Sequence, residues 1–433
     1  QLGDTLDGMT LEEQRQELLR ILPTIEGIHR AEETESGCVW ATFEDGDPIL
    51  FATNYEPSPG DPPDVTPPAS TRKSWPAPKT ADVSLGQLPG GFDFLQYTEL
   101  PDQSVVEVLP TLAGDWHATK VLNDLKQQFV DAGYELGPIS QKVVEDLTID
   151  DYKQLGDISA FLWNGHSGEG KFEDSIQSGV TGEYFAFWTE IEVTEANFDA
   201  QWDEVKAKRL VPVYAQINRG DSGDVEYGYR WGITEKFIDE YMSFSDVSFV
   251  LMHGCDTNDA LMKDAFMAAG VDTYLGWTEP VADRDSAVII RHLVERLLGG
   301  KQTADWDTSP VRAFDLIDVV SEMKRNNLMA DSYGSTLTVT RKTGSRFGML
   351  VPTLYSMVLA TGEEELVFHG TFDDNPTADS FATVDGYPLT VKSWDARKIV
   401  AQLPPSGDGA VGDAMITVRG VSSHPIPITR YRG

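Results

Sequence analysis

The sequence predicts an α/β protein built on a mainly parallel sheet flanked by helices, with a small α+β unit before it and a β-sandwich after it. Three observations predict this class. Strand-like and helix-like segments alternate between about residues 90 and 300, the order that builds parallel sheets through right-handed crossovers. Two apolar runs, Ser159-Ala160-Phe161-Leu162-Trp163 and Ser248-Phe249-Val250-Leu251-Met252, read as strands buried on both faces. Each run ends in a glycine followed by a chemically versatile residue, Gly165-His166 and Gly254-Cys255.

The elements follow in order. Thr10-Leu11-Glu12-Glu13 has the form of a capping box and opens a helix that stops at Pro23. Two strands at 38–43 and 49–52 flank an Asp45-Gly46 turn, a hairpin signal. Residues 57–78 hold eight prolines, a linker or extended arm. A first strand at 105–109 precedes a helix at 118–132, whose Val121, Leu122, Leu125 and Phe129 share one face, with Gly133 as its C-cap. Thr148-Ile149-Asp150-Asp151 caps a short helix before the His166 strand. Residues 171–232 break the alternation with strand-like, aromatic-rich segments at 184–188 and 211–217, an insertion near the site edge. Helices at 234–242, 261–269 and 285–298 and a strand at 271–277 complete the α/β part. After a helix at 313–325 the chain turns to short strands. The expected division is 1–55, an N-terminal α+β unit; 56–90, a Pro-rich arm; 91–305, the catalytic unit; 306–360, a helix and β connector; and 361–433, a β-sandwich.

The 433 residues carry 70 Asp and Glu against 34 Lys and Arg, a formal charge of −36. Such a surface repels nucleic acid and anionic membranes. No apolar run approaches the ~18 residues of a membrane-spanning helix. A start at Gln1 rather than Met leaves open a removed leader or a fragment. The two cysteines, Cys38 and Cys255, could pair, but Cys38 lies in an apolar strand and reads as a small core residue.

Sheets of this class present their chemistry at the C-terminal edge of the strands. Two adjacent strands would hold the imidazole of His166 and the thiol of Cys255 there. A thiol reacts as thiolate, and an imidazole takes its proton and returns it to a leaving amine. The N–H of Cys255 and one from Ser167 or Gly168 are candidate oxyanion donors. The structural alternative is a core cysteine and a turn histidine. A zinc site of His166, His253 and Cys255 lacks a fourth ligand and paired spacing; no metal is assigned and no cofactor is required. Calcium stays open at Asp221, Asp224 and Glu226, around Gly220 and Gly223, where no complete loop motif is present.

From about residue 105 to 298 the chain resembles the caspase-like cysteine peptidases, the group of caspases, gingipains and clostripain. The likeness lies in the helix and strand at 115–136, the strand before the His166 turn, the strand before Cys255 and the strand Asp272-Thr273-Tyr274-Leu275-Gly276-Trp277, in that order. It implies His166 as general base and acid, Cys255 as nucleophile, and a peptide or protein substrate. Some members of the group take basic side chains in an acidic pocket, for which Asp256, Asp259, Trp277 and Glu279 are the candidates. Two departures stand out. Ser167 occupies the position where the group has glycine, and the interval between His166 and Cys255 is long. The resemblance therefore carries an alternative, a catalytically inactive scaffold serving as a surface, structural or adhesive protein. The segments at 366–372, 391–395, 399–404 and 416–423 look like an immunoglobulin-like IPT/TIG domain, which implies an accessory module and an extracellular or cell-surface setting. Oligomeric state is not legible.

Overall fold

The computed structural model describes residue 6 and residues 9–34, 37–44, 48–51, 99–102, 104–111, 117–143, 146–173, 181–219, 225–300, 312–359, 365–373, 376–403 and 411–429. The Pro-rich arm lies outside them, as do Asp221 and Asp224; Glu226 is placed by its backbone alone.

In chain order the first elements are α1 (Leu11–Ile21), β1 (Ile28–Glu33), β2 (Val39–Phe43), β3 (Pro48–Phe51), β4 (Val105–Pro110), α2 (His117–Ala132), β5 (Glu135–Leu136), α3 (Ile149–Tyr152) and β6 (Ile158–Asn164). The insertion supplies β7 (Ser167–Glu173), β8 (Thr181–Glu192), α4 (Glu195–Ala200), α5 (Trp202–Lys206), β9 (Leu210–Arg219) and β10 (Val225–Thr234). The α/β order then resumes with α6 (Glu235–Tyr241), β11 (Phe244–His253), α7 (Ala260–Ala268), β12 (Thr273–Trp277), α8 (Asp283–Leu298), α9 (Leu316–Arg325) and β13 (Leu337–Arg341).

The central sheet runs β13-β12-β11-β6-β4-β5. All its pairings are parallel except that of β12 with β13. Its middle strands alternate between two cores, as the two-residue period of a strand requires. Ala160, Leu162, Phe249 and Leu251 face the core shared with the Val121, Leu125 and Phe129 stripe of α2 and with Ile290 and Leu293 of α8. Phe161, Trp163, Val250 and Met252 face the opposite core, with Phe237 of α6 and Phe266 of α7. Burial on both faces is why these strands are continuous apolar runs. β13, in the segment expected as a connector, closes the sheet edge instead. The Asp272 carboxylate accepts the N–H groups of Arg346 (2.9 Å) and Phe347 (3.1 Å) just beyond it.

The N-terminal strands, expected within a unit of their own, join the insertion. A second sheet runs β1-β2-β3-β9-β10-β8-β7, with β3 parallel to β9 through Leu50↔Val213 and Phe51↔Tyr214. The apolar side chains Trp40, Leu50, Tyr184, Ala186 and Val213 form one buried cluster across it. Neither segment can bury that face alone. β7 and β10 have no apolar run, so periodicity did not anticipate them.

Downstream, β14 (Thr353–Leu359), β15 (Glu365–Thr371), β16 (Phe381–Val384), β17 (Tyr387–Pro388), β18 (Thr390–Trp394), β19 (Lys398–Gln402), β20 (Val411–Val418), β21 (Val421–Ser422) and β22 (Ile426–Thr429) form two antiparallel sheets, β14-β15-β19-β18 and β17-β16-β20-β21, with β22 on β20. Phe368, Ile399 and Ala401 of one and Ala382, Ala414 and Ile416 of the other meet in a common core. This β part rests on the C-terminal ends of α2 and α8. The Tyr134 hydroxyl donates to the Leu350 carbonyl, and His424 Nε2 donates to the Leu298 carbonyl at 3.1 Å. The N-terminal ends of the same helices lie at the opposite edge, where the candidate site is.

Candidate active site

The site begins with strand register. β6 and β11 are parallel neighbours, and their last pair is Asn164↔His253. The Gly165 N–H extends that pairing to the His253 carbonyl at 3.0 Å. His166 and Cys255 each stand two residues beyond the pair, at the same edge. The two glycines are needed for close approach. A Cβ on Gly254 would lie 2.6 Å from the Gly165 carbonyl oxygen and 2.7 Å from Ser167 Oγ, and one on Gly165 would strike Thr111 Oγ1 and the Trp163 ring.

Ser167, the departure from the resembled pattern, ties the two strand ends together. Its hydroxyl donates to the Cys255 carbonyl at 2.6 Å, and the residue is 1% exposed. From Ser167 the chain enters β7 and pairs with β8. The Trp188 N–H donates to the His166 carbonyl at 2.9 Å. Hydrogen-bonded and open pairs alternate in an antiparallel ladder, so Gly168 opposite Ala186 is a bonded pair and Ser167 opposite Phe187 is an open one. The Gly168 N–H is thereby turned into the ladder. The Ser167 N–H points away from β8. Of the candidate oxyanion donors, Gly168 is thus committed to the β7–β8 ladder and Ser167 is not.

Both side chains are buried, His166 at 7% exposure and Cys255 at 2%. The His166 ring lies against Trp188, with centroids 4.7 Å apart. Burial lowers the imidazole to about 4, partly opposed by the Asp283 carboxylate. Burial raises the Cys255 thiol well above its ordinary value; the Val281 N–H, bonded to the sulfur, works against this, and Asp256, Cys38 and Asp331 add to it. At neutral pH burial therefore keeps both the imidazole and the thiol uncharged. Neither Cys38 nor Cys255 is in a disulfide, and Cys38 is a buried core residue.

The remaining expected residues divide. Asp256 has a left-handed backbone (φ 56°), and its N–H donates to the Glu279 carbonyl at 3.3 Å. Asp256 and the exposed Glu279 therefore flank the Cys255 turn together. Trp277 is wholly buried, edge-on to His253 at 5.9 Å. Asp259 is the N-cap of α7, accepting from the Leu261 N–H at 2.8 Å, which commits its carboxylate to the helix. His253 has both ring nitrogens occupied, Nδ1 2.6 Å from Asn164 Oδ1 and Nε2 2.7 Å from Ser286 Oγ. It holds β6, β11 and α8 together. Among the described residues no group of three or more His, Cys, Asp or Glu is placed to hold a metal ion.

Sequence reasoning missed His117 and Asp283. His117 Nδ1 lies 3.0 Å from Asp283 Oδ2. The carboxylate also accepts the N–H groups of His117 (2.7 Å) and Ala118 (3.1 Å). The available signal was position: both residues open a helix that follows a parallel strand, at the edge where α/β sheets place their chemistry.

No protein-family model matches the chain, and no curated protein matches it. Among solved structures it is similar to one described as a protease, at 9% identity over 78% of this chain and 69% of that one, with a TM-score of 0.28. It is also similar to the Arg-specific cysteine proteinase gingipain R, at 12% identity over 76% and 69%, with a TM-score of 0.29. Likeness at this level leaves the site to be read from its own geometry.

Proposed function

We propose that the protein is a cysteine endopeptidase in which Cys255 is the nucleophile and His166 carries the proton. The observation that supports this best is the parallel pairing of β6 and β11 through Asn164↔His253, which sets both side chains at one sheet edge. His253 has no ring nitrogen left for the thiol proton, so the task falls to His166. In the proposed reaction the Cys255 proton passes to His166 and the thiolate attacks the peptide carbonyl. The N–H groups of Ser167 and Cys255 take the oxyanion. As the C–N bond breaks, His166 gives the proton to the leaving amine. Water then cleaves the thioester and restores the thiol.

Asp256 and Glu279 beside the nucleophile turn support a preference for basic side chains at the cleaved bond. The C-terminal sheets are proposed as an immunoglobulin-like accessory module of a secreted or surface protein, remote from the site. The second reading, a disused peptidase scaffold, is favoured by burial of both reactive groups, which holds the thiol and imidazole uncharged.

The test is covalent labelling with peptidyl ketone probes ending in Arg, Lys or a neutral residue, read by intact mass. The proposal expects labelling of wild type, faster with basic probes, and none of Cys255→Ala. No labelling under reducing conditions, with calcium or without it, sinks the enzyme reading in favour of the scaffold.

A further inference from the structure

Residues 279–282, between β12 and α8, run beside the turn that carries Cys255. Pro280 has no N–H, and the other three N–H groups of this segment all have acceptors. Glu279 donates to the Ser335 hydroxyl at 3.2 Å, Val281 to the Cys255 sulfur and Ala282 to Asp331 Oδ2 at 2.7 Å. The Glu279 carbonyl accepts twice, from the Asp256 N–H at 3.3 Å and from the Ser335 hydroxyl at 2.8 Å. Both ends of the segment are therefore held by one short loop ahead of β13. That loop is closed by its own bonds. Asp331 Oδ1 accepts the N–H groups of Tyr333 and Ser335, each at 3.0 Å, the Asp331 N–H donates to the Ser335 carbonyl at 3.0 Å, and Gly334 supplies a φ of 92°. Ser335 and Asp331 are both buried, so removing either partner would leave a buried polar group unsatisfied.

We propose that Ser335 and Asp331 are positioning residues for Cys255: they hold residues 279–282 as a strap beside its turn and so fix the peptide group that follows the thiol. The carbonyl of that peptide accepts from the Ser167 hydroxyl at 2.6 Å, on the β6 side. Its N–H, that of Asp256, donates to the strap on the β12 side. One peptide plane is thus pinned at both ends, with Asp256 kept at a φ of 56°, a conformation that a residue with a Cβ holds only where its surroundings enforce it. The consequence for chemistry rests on the peptidase reading. The strap sets the Cys255 sulfur and the Glu279 backbone in one frame, and with them the reactive atom and the acidic flank proposed to choose basic substrates. The segment expected as a connector thereby reaches the site from about 80 residues beyond Cys255.

The test uses the two cysteines of the full chain, each buried and neither in a disulfide. Iodoacetamide alkylation at one fixed pH is followed for each by peptide mapping, in wild type, Ser335→Ala, Ser335→Thr and Asp331→Asn. Asp331→Asn keeps an oxygen for the Tyr333 and Ser335 N–H groups but sets its amide N–H against that of Ala282, so it cuts the strap and spares the loop. Ser335→Ala and Asp331→Asn are expected to speed Cys255 alkylation about tenfold, the local opening that loss of one such bond allows. Ser335→Thr, which retains the hydroxyl, is expected to stay near wild type. Cys38 lies in the core of the second sheet and reports global loosening, so its rate should not change. Equal acceleration of both cysteines, or none of Cys255, overturns the proposal. Should Ser335→Ala fail to fold, Asp331→Asn is read in the same way. Peptidyl probes are expected to change with the opposite sign, labelling both variants more slowly and with less preference for Arg over a neutral residue. Alkylation needs no turnover, so a peptidyl probe that fails on wild type counts against the peptidase reading alone.

Discussion

The Ser167 hydroxyl donates to the carbonyl of Cys255, 2.6 Å away, across the gap between two parallel strand ends. The residue after the proposed base thus holds the backbone of the proposed nucleophile. Ser167→Ala would leave a buried carbonyl without that donor, at a cost of about 1–3 kcal/mol. The expected result is a lower urea midpoint together with slower Cys255 labelling. Unchanged values for both would show that the tie has no role.

Gly254→Ala tests the approach of the same strands. Its Cβ would meet the Gly165 carbonyl oxygen, the Ser167 hydroxyl and the Trp163 ring. The strands would have to part, with a loss of about 1–3 kcal/mol. Labelling of Cys255 is expected to fall further than stability does, because the displacement lies between the two reactive groups. A folded, fully labelled variant would place the dyad elsewhere.

Trp188 covers His166. Trp188→Ala removes a buried ring and is expected to destabilise the protein by about 3–5 kcal/mol. Water would reach the imidazole, and its midpoint would rise from about 4 toward the ordinary 6.5. Histidine ring titration reads this directly, and a midpoint that stays low would assign the depression to another neighbour.

Acid stability follows from two buried imidazoles. Burial lowers both His166 and His253 from 6.5 to about 4, with Asp283 opposing. Between those values the unfolded chain binds more protons than the folded one. Stability is therefore full above 6.5 and is lost as pH falls toward 4, by up to about 3 kcal/mol for each histidine. Glu190, raised by burial from 4.5 to about 8 against Arg230, works with the opposite sign and loses stability as pH rises. Urea midpoints at pH 7 and 5 should show a slope that His166→Gln flattens on the acid side, while Glu190→Gln steepens the gain toward pH 7. An acid-side slope unaltered by His166→Gln would remove that residue from the account.

Gly133 separates the β part from the site. It has φ 103°, and a Cβ there would strike the Gly420 carbonyl oxygen. Gly133→Ala is expected to cost at least about 1 kcal/mol and to loosen the C-terminal sheets, read by limited proteolysis. Labelling of Cys255 should persist, since the contact lies at the far ends of α2 and α8. Parallel loss of both would show that the β part shapes the site.

Much of the central sheet was legible from residues alone. The apolar runs before His166 and Cys255 carry their own burial signal, and the Val121, Leu122, Leu125 and Phe129 stripe carries the period of α2. These follow from local periodicity, which depends only on chain geometry. The second sheet was not legible as one unit. Its strands come from residues 28–51 and 167–234, and pairing between distant segments leaves no periodic mark in either. Ser167 read as a departure from a glycine pattern, since its carbonyl partner lies in another strand.

By itself the sequence determined the α/β class, the strands that end in His166 and Cys255, and the strongly acidic surface. Only the tertiary structure decided that those strand ends are neighbours, that Ser167 joins them, that Trp277 is core, and that His117 and Asp283 link the first turns of α2 and α8. The physical reason is that side-chain periodicity is a local property, whereas burial, hydrogen bonding and the electrostatics of a site depend on which distant segments the sheet register brings together.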